Sequence, residues 1–292
     1  MKVESISFKR FSSSYGNNKS FGQPLGLKSI VIITVTSESN ISRSSELYSG
    51  IYIPDILPSL IDYIAKSFIG KKYNLDQLDF SCEVPFVANS GIFKSIQGAI
   101  QNCIIQLLFK ENNLTLVEGL KKLINARHLR DKTTAPINYY LSGGSVAYSI
   151  EDTIKDAEQA LAANYQGFKM RCGLQGLEVD KKRVTAVKSL FETNNRNSKR
   201  INHIDLMVDF IQGTLKPGFS VEESINNIKN ITGDILWFEE PLDPDNIYGY
   251  KELRGNLDPS ISLAVGESFT TISEYKAYGE YIKFLQLDVT HG

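Results

Sequence analysis

The stretch ILWFEEPL, Ile235–Leu242, decides how the chain reads. Ile235, Leu236, Trp237 and Phe238 are all apolar, the pattern of a strand buried on both faces. Two adjacent carboxylates follow, Glu239 and Glu240, and then Pro241, which cannot donate to a sheet ladder and stops the strand. Successive strand residues point to opposite sides, so one of the two acids faces the interior. An acid at the end of a core strand needs a partner that offsets its desolvation.

Other strands end in the same way. From about Ala135 short apolar runs alternate with amphipathic ones. Strands are expected at Ile137–Leu141, Gly167–Arg171, Ile204–Asp209, Ile235–Glu239, Ser262–Glu267 and Phe284–Asp288. Helices are expected at Ile150–Ala163, Leu177–Thr193, Val221–Ile231 and Thr271–Gly279. Strand alternating with helix is the grammar of a parallel α/β sheet. FKMRC ends with Lys169 and Arg171, LMVDF with Asp209, AVGES with Glu267 and LQLDV with Asp288. In a closed (β/α) barrel all these ends meet at the face that carries active sites. A single acid at a strand end is ordinarily a helix cap or an ion-pair partner. Five successive strands doing this in register exceed what capping explains.

Asp209, Glu239 and Glu267 would then form a cluster. Three unpaired carboxylates raise one another's pKa, and a hard divalent cation resolves the conflict. Mg²⁺ takes oxygen ligands in octahedral geometry and keeps positions for water or substrate. The histidines and cysteines expected of a zinc site are missing from these strand ends. Lys169 and Arg171, two apart and on one side of their strand, face Asp288 across the metal, where they can handle protons or substrate charge.

The first third reads as α+β. Val3–Phe11 and Ser29–Thr36 are strand-like, and Gly91–Lys110 carries a helical apolar stripe. Ser12–Gly22 and Glu46–Asp55 are turn-rich loops. The expected division is an α+β domain over residues 1–130 and a (β/α) barrel domain over residues 131–292.

Composition removes other function classes. The 292 residues carry 32 basic and 33 acidic side chains, a net charge of −1, which leaves no footprint for nucleic acid or an anionic membrane. The 3 cysteines, Cys82, Cys103 and Cys172, form no CxxC pair and fit a reducing, cytoplasmic setting. MKVESISFKRF lacks the apolar run of a signal peptide, and no segment approaches the roughly 18 apolar residues of a membrane span.

Taken in order, these motifs resemble the enolase superfamily, and within it the mandelate racemase/muconate lactonizing group. The resemblance runs through the α+β segment, SGGS at Ser142–Ser145, KMR at Lys169–Arg171 and MVDF at Met207–Phe210. It continues through WFEEPL at Trp237–Leu242, GES at Gly266–Ser268 and LDVTHG at Leu287–Gly292. It implies an enolase-like TIM-type barrel with an N-terminal α+β capping domain. It implies Asp209, Glu239 and Glu267 as Mg²⁺ ligands, with Glu240 as a neighbouring electrostatic or structural partner. The metal would bind a substrate carboxylate, a base would remove the alpha proton, and the enediolate would be stabilised. The two capping loops would contact substrate, with Tyr15, Tyr48 and Tyr52 as the binding residues.

The chain departs from the family in three places. Arg171 stands where a second lysine is usual, and an arginine is a poor base. Ile211 stands where an asparagine is common. Six barrel strands are counted where closure needs eight, so the barrel is expected to lack its last strands, and a seventh-strand histidine partner for Asp288 is missing. His291, His128 and His203 are not promoted to that role. The expected activity is a Mg²⁺-dependent lyase that dehydrates an acid sugar or related hydroxy acid. Racemase, epimerase or cycloisomerase chemistry, or a non-catalytic truncated paralogue, are the alternatives. Residues 1–292 alone are expected to bind metal with little catalysis. The expected partners are a small-molecule carboxylate and, as a homo-oligomer, further copies of the chain.

Overall fold

The computed structural model describes residues 1–14, 27–47, 53, 55–80, 91–124, 137–197, 204–215, 217–231 and 233–288. Tyr15, Tyr48, Tyr52, Cys82 and the three histidines lie outside them.

Three strands open the chain: β1 (Val3–Ser14), β2 (Leu27–Ser37) and β3 (Ser42–Leu47), antiparallel in the order β1-β2-β3. Three helices follow: α1 (Leu57–Ala65), α2 (Ile92–Glu111) and α3 (Leu116–Leu123). Along β2 every second residue is buried, so Val31, Ile33 and Val35 share one face. That face shares a core with the helical stripe Ile96, Ile100, Cys103, Ile104 and Leu107. β3 falls between the expected elements because SRSSEL buries only Leu47 and keeps polar residues outside.

Six further strands form a second sheet: β4 (Tyr140–Gly143), β5 (Gly167–Arg171), β6 (Asp205–Asp209), β7 (Ile235–Glu239), β8 (Leu263–Val265) and β9 (Phe284–Leu285). They are parallel, and their spatial order is their chain order. Between successive strands stand α4 (Ile150–Ala162), α5 (Leu177–Asn197), a short turn α6 (Ile211–Thr214), α7 (Val221–Asn230), α8 (Ile247–Asn256) and α9 (Ile272–Tyr278). Sequential order marks a singly wound βα succession; a doubly wound sheet reverses direction midway. Helix starts are fixed locally. Ser149 caps α4, and Ser220 with Glu223 and Thr271 with Glu274 form capping boxes on α7 and α9.

The chain separates into two compact units: β1 to α3 belong to one and β4 to β9 to the other, with Asp288 grouped with the first. Among the described residues no helix is long and apolar enough to cross a membrane.

The two faces of the parallel sheet differ. Phe168, Met170, Leu206, Val208, Phe238, Leu263 and Val265 share one large core with helix residues such as Val187, Phe191, Ile228 and Leu253. Met207, Trp237 and Ala264 form a separate small cluster with Phe284 packed on it. Lys169, Arg171, Asp209 and Glu239 fall at the same strand parity as this second set.

Ser12–Ser14 and Glu46–Leu47 belong to β1 and β3 rather than to the expected loops, and three strands of the parallel sheet depart further from expectation. β4 begins at Tyr140, paired with Gly167, and Ile137 ahead of it is 84% exposed. β8 ends at Val265 because Gly266 turns the backbone to φ +130°, where a side chain is strained. Glu267 therefore lies in the turn beyond the strand. β9 is two residues long, so Asp288 stands three residues past its end, half-buried. α8 was not anticipated, since IYGYKELRGN buries only Gly249, Tyr250 and Leu253.

Candidate active site

Strand register places the charged residues side by side. Arg171 is opposite Asp209, Asp209 opposite Glu239, and Glu239 opposite Ala264. Lys169, two residues before Arg171, reaches up into this row. Its Nζ lies 2.5 Å from Glu239 Oε1 and 3.6 Å from Asp209 Oδ2, all three residues being buried. Arg171 Nε lies 3.9 Å from Asp209 Oδ2. The second oxygen of Glu239 accepts from Trp237 Nε1 at 3.2 Å and from Gln286 Nε2 at 2.7 Å. Tyr140 lies edge-on to Trp237, with centroids 5.5 Å apart, and Lys169 Nζ sits 5.8 Å from the Tyr140 ring centre.

The electrostatics follow from this crowding. Burial pulls the Lys169 ammonium toward neutrality, but Asp209 and Glu239 more than offset that and hold its pKa above the ordinary lysine value. Burial, and then Glu239, push the Asp209 carboxyl up against the opposing pull of Lys169 and the Ile211 N–H. Glu240 is pushed up to about 9 by burial, and further by Glu267, Asp209 and Glu239. Four acids are thus close enough to repel one another.

Glu240 sits just past β7 with φ +41° and is fully buried. It does not share the sheet face of Glu239; its Oε2 accepts from the Gln212 backbone N–H at 3.1 Å. Its Oε1 is buried and meets no hydrogen-bond donor among the described residues. The donor Gln212 belongs to an unusual turn. Ile211, Gln212, Gly213, Thr214 and Leu215 have φ of +48°, +51°, +57°, +59° and +71°. A left-handed turn costs L-residues roughly 1–2 kcal/mol each, most for a β-branched residue such as Ile211. The turn aims the N–H groups of Ile211 and Gln212 at carboxylates. Ile211 N donates to Asp209 Oδ1 at 2.7 Å, and Gly213 N donates to the Glu240 carbonyl at 2.7 Å. At Gly213 a Cβ would lie 2.9 Å from the Leu242 backbone.

The ends of β4 and β5 are tied by Arg183, which is fully buried. It donates to Thr153 Oγ1, Asp180 Oδ1 and the carbonyls of Arg171, Gly144 and Ser145. Asp180 accepts from Gly173 N at 2.6 Å. SGGS thus belongs to a strand end whose carbonyls a buried guanidinium holds.

The structure brings together Lys169, Arg171, Asp209 and Glu239. Glu267 lies within electrostatic reach of Asp209 and Glu240 but is exposed. Among the described residues no three His, Cys, Asp or Glu side chains stand in ligating geometry. Sequence reasoning missed Trp237, Gln286, Gln212 and Arg183. The first two were readable by parity: Trp237 is two before Glu239, and Gln286 two before Asp288. Gln212 acts through its backbone and Arg183 lies on a helix, so neither left a signal.

By its chemistry alone the set Asp209, Glu239 and Glu267 suits Mg²⁺: it is all oxygen, and with Glu240 beside it there are more acids than Lys169 and Arg171 neutralise.

Residues 152–292 match the model of the enolase C-terminal domain-like family. Over 132 residues, 44% of the chain, it is 34% identical to L-galactonate dehydratase of Hypocrea jecorina. Over 185 residues, 60% of the chain, it is 28% identical to mitochondrial enolase superfamily member 1 of Xenopus laevis. These matches span 26% and 38% of those two proteins. The fold is shared with an enolase from Bradyrhizobium solved with magnesium and mandelic acid, at TM-score 0.72 and 17% identity, covering 99% of this chain and 74% of that one. Over residues 152–292 the chain is thus similar to the enolase C-terminal domain-like family, and its fold is that of enolase-superfamily structures. Its parallel sheet is the α/β part of an enolase-like fold.

Proposed function

We propose that the chain takes part in Mg²⁺-dependent removal of the proton alpha to a substrate carboxylate, and that the reaction is dehydration of an acid sugar or related hydroxy acid. The observation that carries this reading is the row Arg171–Asp209–Glu239, with Lys169 bound into it by a 2.5 Å contact to Glu239. The resemblance to L-galactonate dehydratase supports dehydration over other outcomes.

Asp209, Glu239 and Glu267 would hold the cation. When bound, Mg²⁺ supplies fixed positive charge where a second negative charge develops beside the substrate carboxylate. Lys169 is kept protonated by Asp209 and Glu239 and offers its ammonium to substrate oxygens. Arg171 is always charged and suits a carboxylate or hydroxyl better than it suits proton abstraction. Trp237, Tyr140 and Phe284 pack together beside the charged row. Asp288 is kept as the residue on the proton-transfer side, and Tyr15, Tyr48 and Tyr52 as substrate contacts, on the resemblance. The reading includes a capping role for the N-terminal α+β unit, a barrel for the parallel sheet, and assembly into homo-oligomers.

A second reading is racemisation, epimerisation or cycloisomerisation. Arg171 counts against the first two, which need a competent base on each face of the carbon.

The test is exchange of the alpha proton in D₂O across a panel of acid sugars, with and without Mg²⁺. Mg²⁺-dependent exchange with loss of water supports dehydration. Exchange with inversion and no loss of water supports the second reading. Mg²⁺ binding without exchange supports the non-catalytic alternative, and a chain that neither binds Mg²⁺ nor exchanges any alpha proton overturns both.

A further inference from the structure

Glu239 is held by both ends. Lys169 takes Oε1 at 2.5 Å, while Trp237 Nε1 and Gln286 Nε2 both donate to Oε2, at 3.2 and 2.7 Å. The residue is fully buried, so neither oxygen has water as a substitute partner. The two donors to Oε2 are uncharged, come from β7 and from the segment just past β9, and are themselves supported. Trp237 packs against Tyr140 and Phe284, with centroids 5.5 and 4.9 Å apart. Gln286 N donates to the Val265 carbonyl at 3.0 Å, which fixes the residue beside the end of β8.

We propose that Gln286 and Trp237 are positioning residues that make Glu239 a one-oxygen ligand and thereby select Mg²⁺ over Ca²⁺. This rests on the reading of Glu239 as a metal ligand. A cation can displace the ammonium at Oε1, where like charges compete for one oxygen. It cannot displace the neutral donors at Oε2 without leaving the buried Trp237 N–H unpaired, at roughly 1–3 kcal/mol, and the half-buried Gln286 amide beside it. Glu239 therefore offers a single oxygen. Mg²⁺ accepts this readily, because it demands near-octahedral geometry with single contacts. Ca²⁺ takes more ligands and gains from carboxylates that bind through both oxygens. Releasing Oε2 lets Glu239 turn both oxygens to the larger ion.

The test is calorimetric titration of the 292-residue chain with Mg²⁺ and, separately, with Ca²⁺, for the unaltered chain, Gln286→Leu and Trp237→Phe. Loss of one outer donor is expected to weaken Mg²⁺ binding about 10–100-fold. Ca²⁺ binding is expected to change less than about 3-fold, or to strengthen. Trp237→Phe shifts the ratio in the same direction, so one variant's failure to fold leaves the other to answer. A merely structural role would weaken both ions alike, and an unchanged Mg²⁺/Ca²⁺ ratio overturns the proposal. An unaltered chain that binds neither ion overturns the metal reading, and this one with it.

Discussion

The two faces of the parallel sheet are made by alternating residues of the same strands, yet they obey different rules. On one face Phe168, Met170, Leu206, Val208, Phe238, Leu263 and Val265 merge with the helices into a single apolar core. On the other, a floor of Met207, Trp237 and Ala264 accompanies Lys169, Arg171, Asp209 and Glu239, where charges are buried against one another. The first face gains stability from every contact. The second spends some of it on a preorganised polar row, as functional sites commonly do. A residue's parity along the strand thus says whether its replacement should damage stability or chemistry.

That contrast can be broken in order of expected effect. Lys169→Met should cost the most. It deletes the cation between Glu239 and Asp209 and should reduce alpha-proton exchange by about 10³-fold. Exchange within 10-fold of the unaltered chain, measured in D₂O, would put Lys169 outside the chemistry. Leu206→Ala, on the helix face, should lower unfolding stability by about 2–5 kcal/mol in urea melts. The Mg²⁺ affinity of the folded fraction should stay within about 3-fold, given that separate sites act additively. A large loss of affinity would show that the two faces are not separable.

Glu240→Gln tests the polar face through pH. The ordinary glutamate value is 4.5, and Glu240 is raised to about 9 by burial and by its acidic neighbours. The folded state therefore keeps the proton that the unfolded state releases. Stability from this group is complete below about 4.5 and is lost as pH climbs toward 9. With a chelator present, Glu240→Gln should flatten the fall in unfolding free energy between pH 6 and pH 8 by about 2 kcal/mol. An unaltered slope would mean that Glu240 meets a cationic partner in solution.

The smallest effect is a gain. Ile211→Asn places a residue that tolerates the left-handed region at φ +48°, and should stabilise the chain by about 1 kcal/mol. A loss would mean that the isoleucine side chain is packed well enough to outweigh its backbone strain.

Much of this was legible in the sequence, for a physical reason. β5 and β7 have their expected limits because FKMR and ILWFE combine short apolar runs with charged ends. β4 and β9 shifted or shortened, since exposed residues such as Ile137 and Leu287 look like strand residues by composition alone. The row Lys169, Arg171, Asp209 and Glu239 was readable because it depends on strand parity. The left-handed turn after Phe210 was not, because IQGTL holds one glycine while five successive residues adopt positive φ. Backbone N–H groups from that turn bind Asp209 and Glu240, and backbone donors carry no mark in a sequence. Arg183 was invisible for a related cause: its partners are backbone carbonyls of Gly144, Ser145 and Arg171, which lie 39, 38 and 12 residues away along the chain.

The sequential order of β4 to β9 also bears on how the sheet is made at the ribosome. Each strand after β4 pairs with the one synthesised immediately before it. Among the described strands every pairing joins neighbours in the chain, and each closure spans only the helices and loops between them. This order allows stepwise growth, but parallel pairing across a helix is slow and leaves the leading edge of the nascent sheet exposed meanwhile. The charged row assembles in the same direction: Lys169 and Arg171 emerge first, then Asp209, then Glu239. The cations are thus in place before the acids that must be buried beside them.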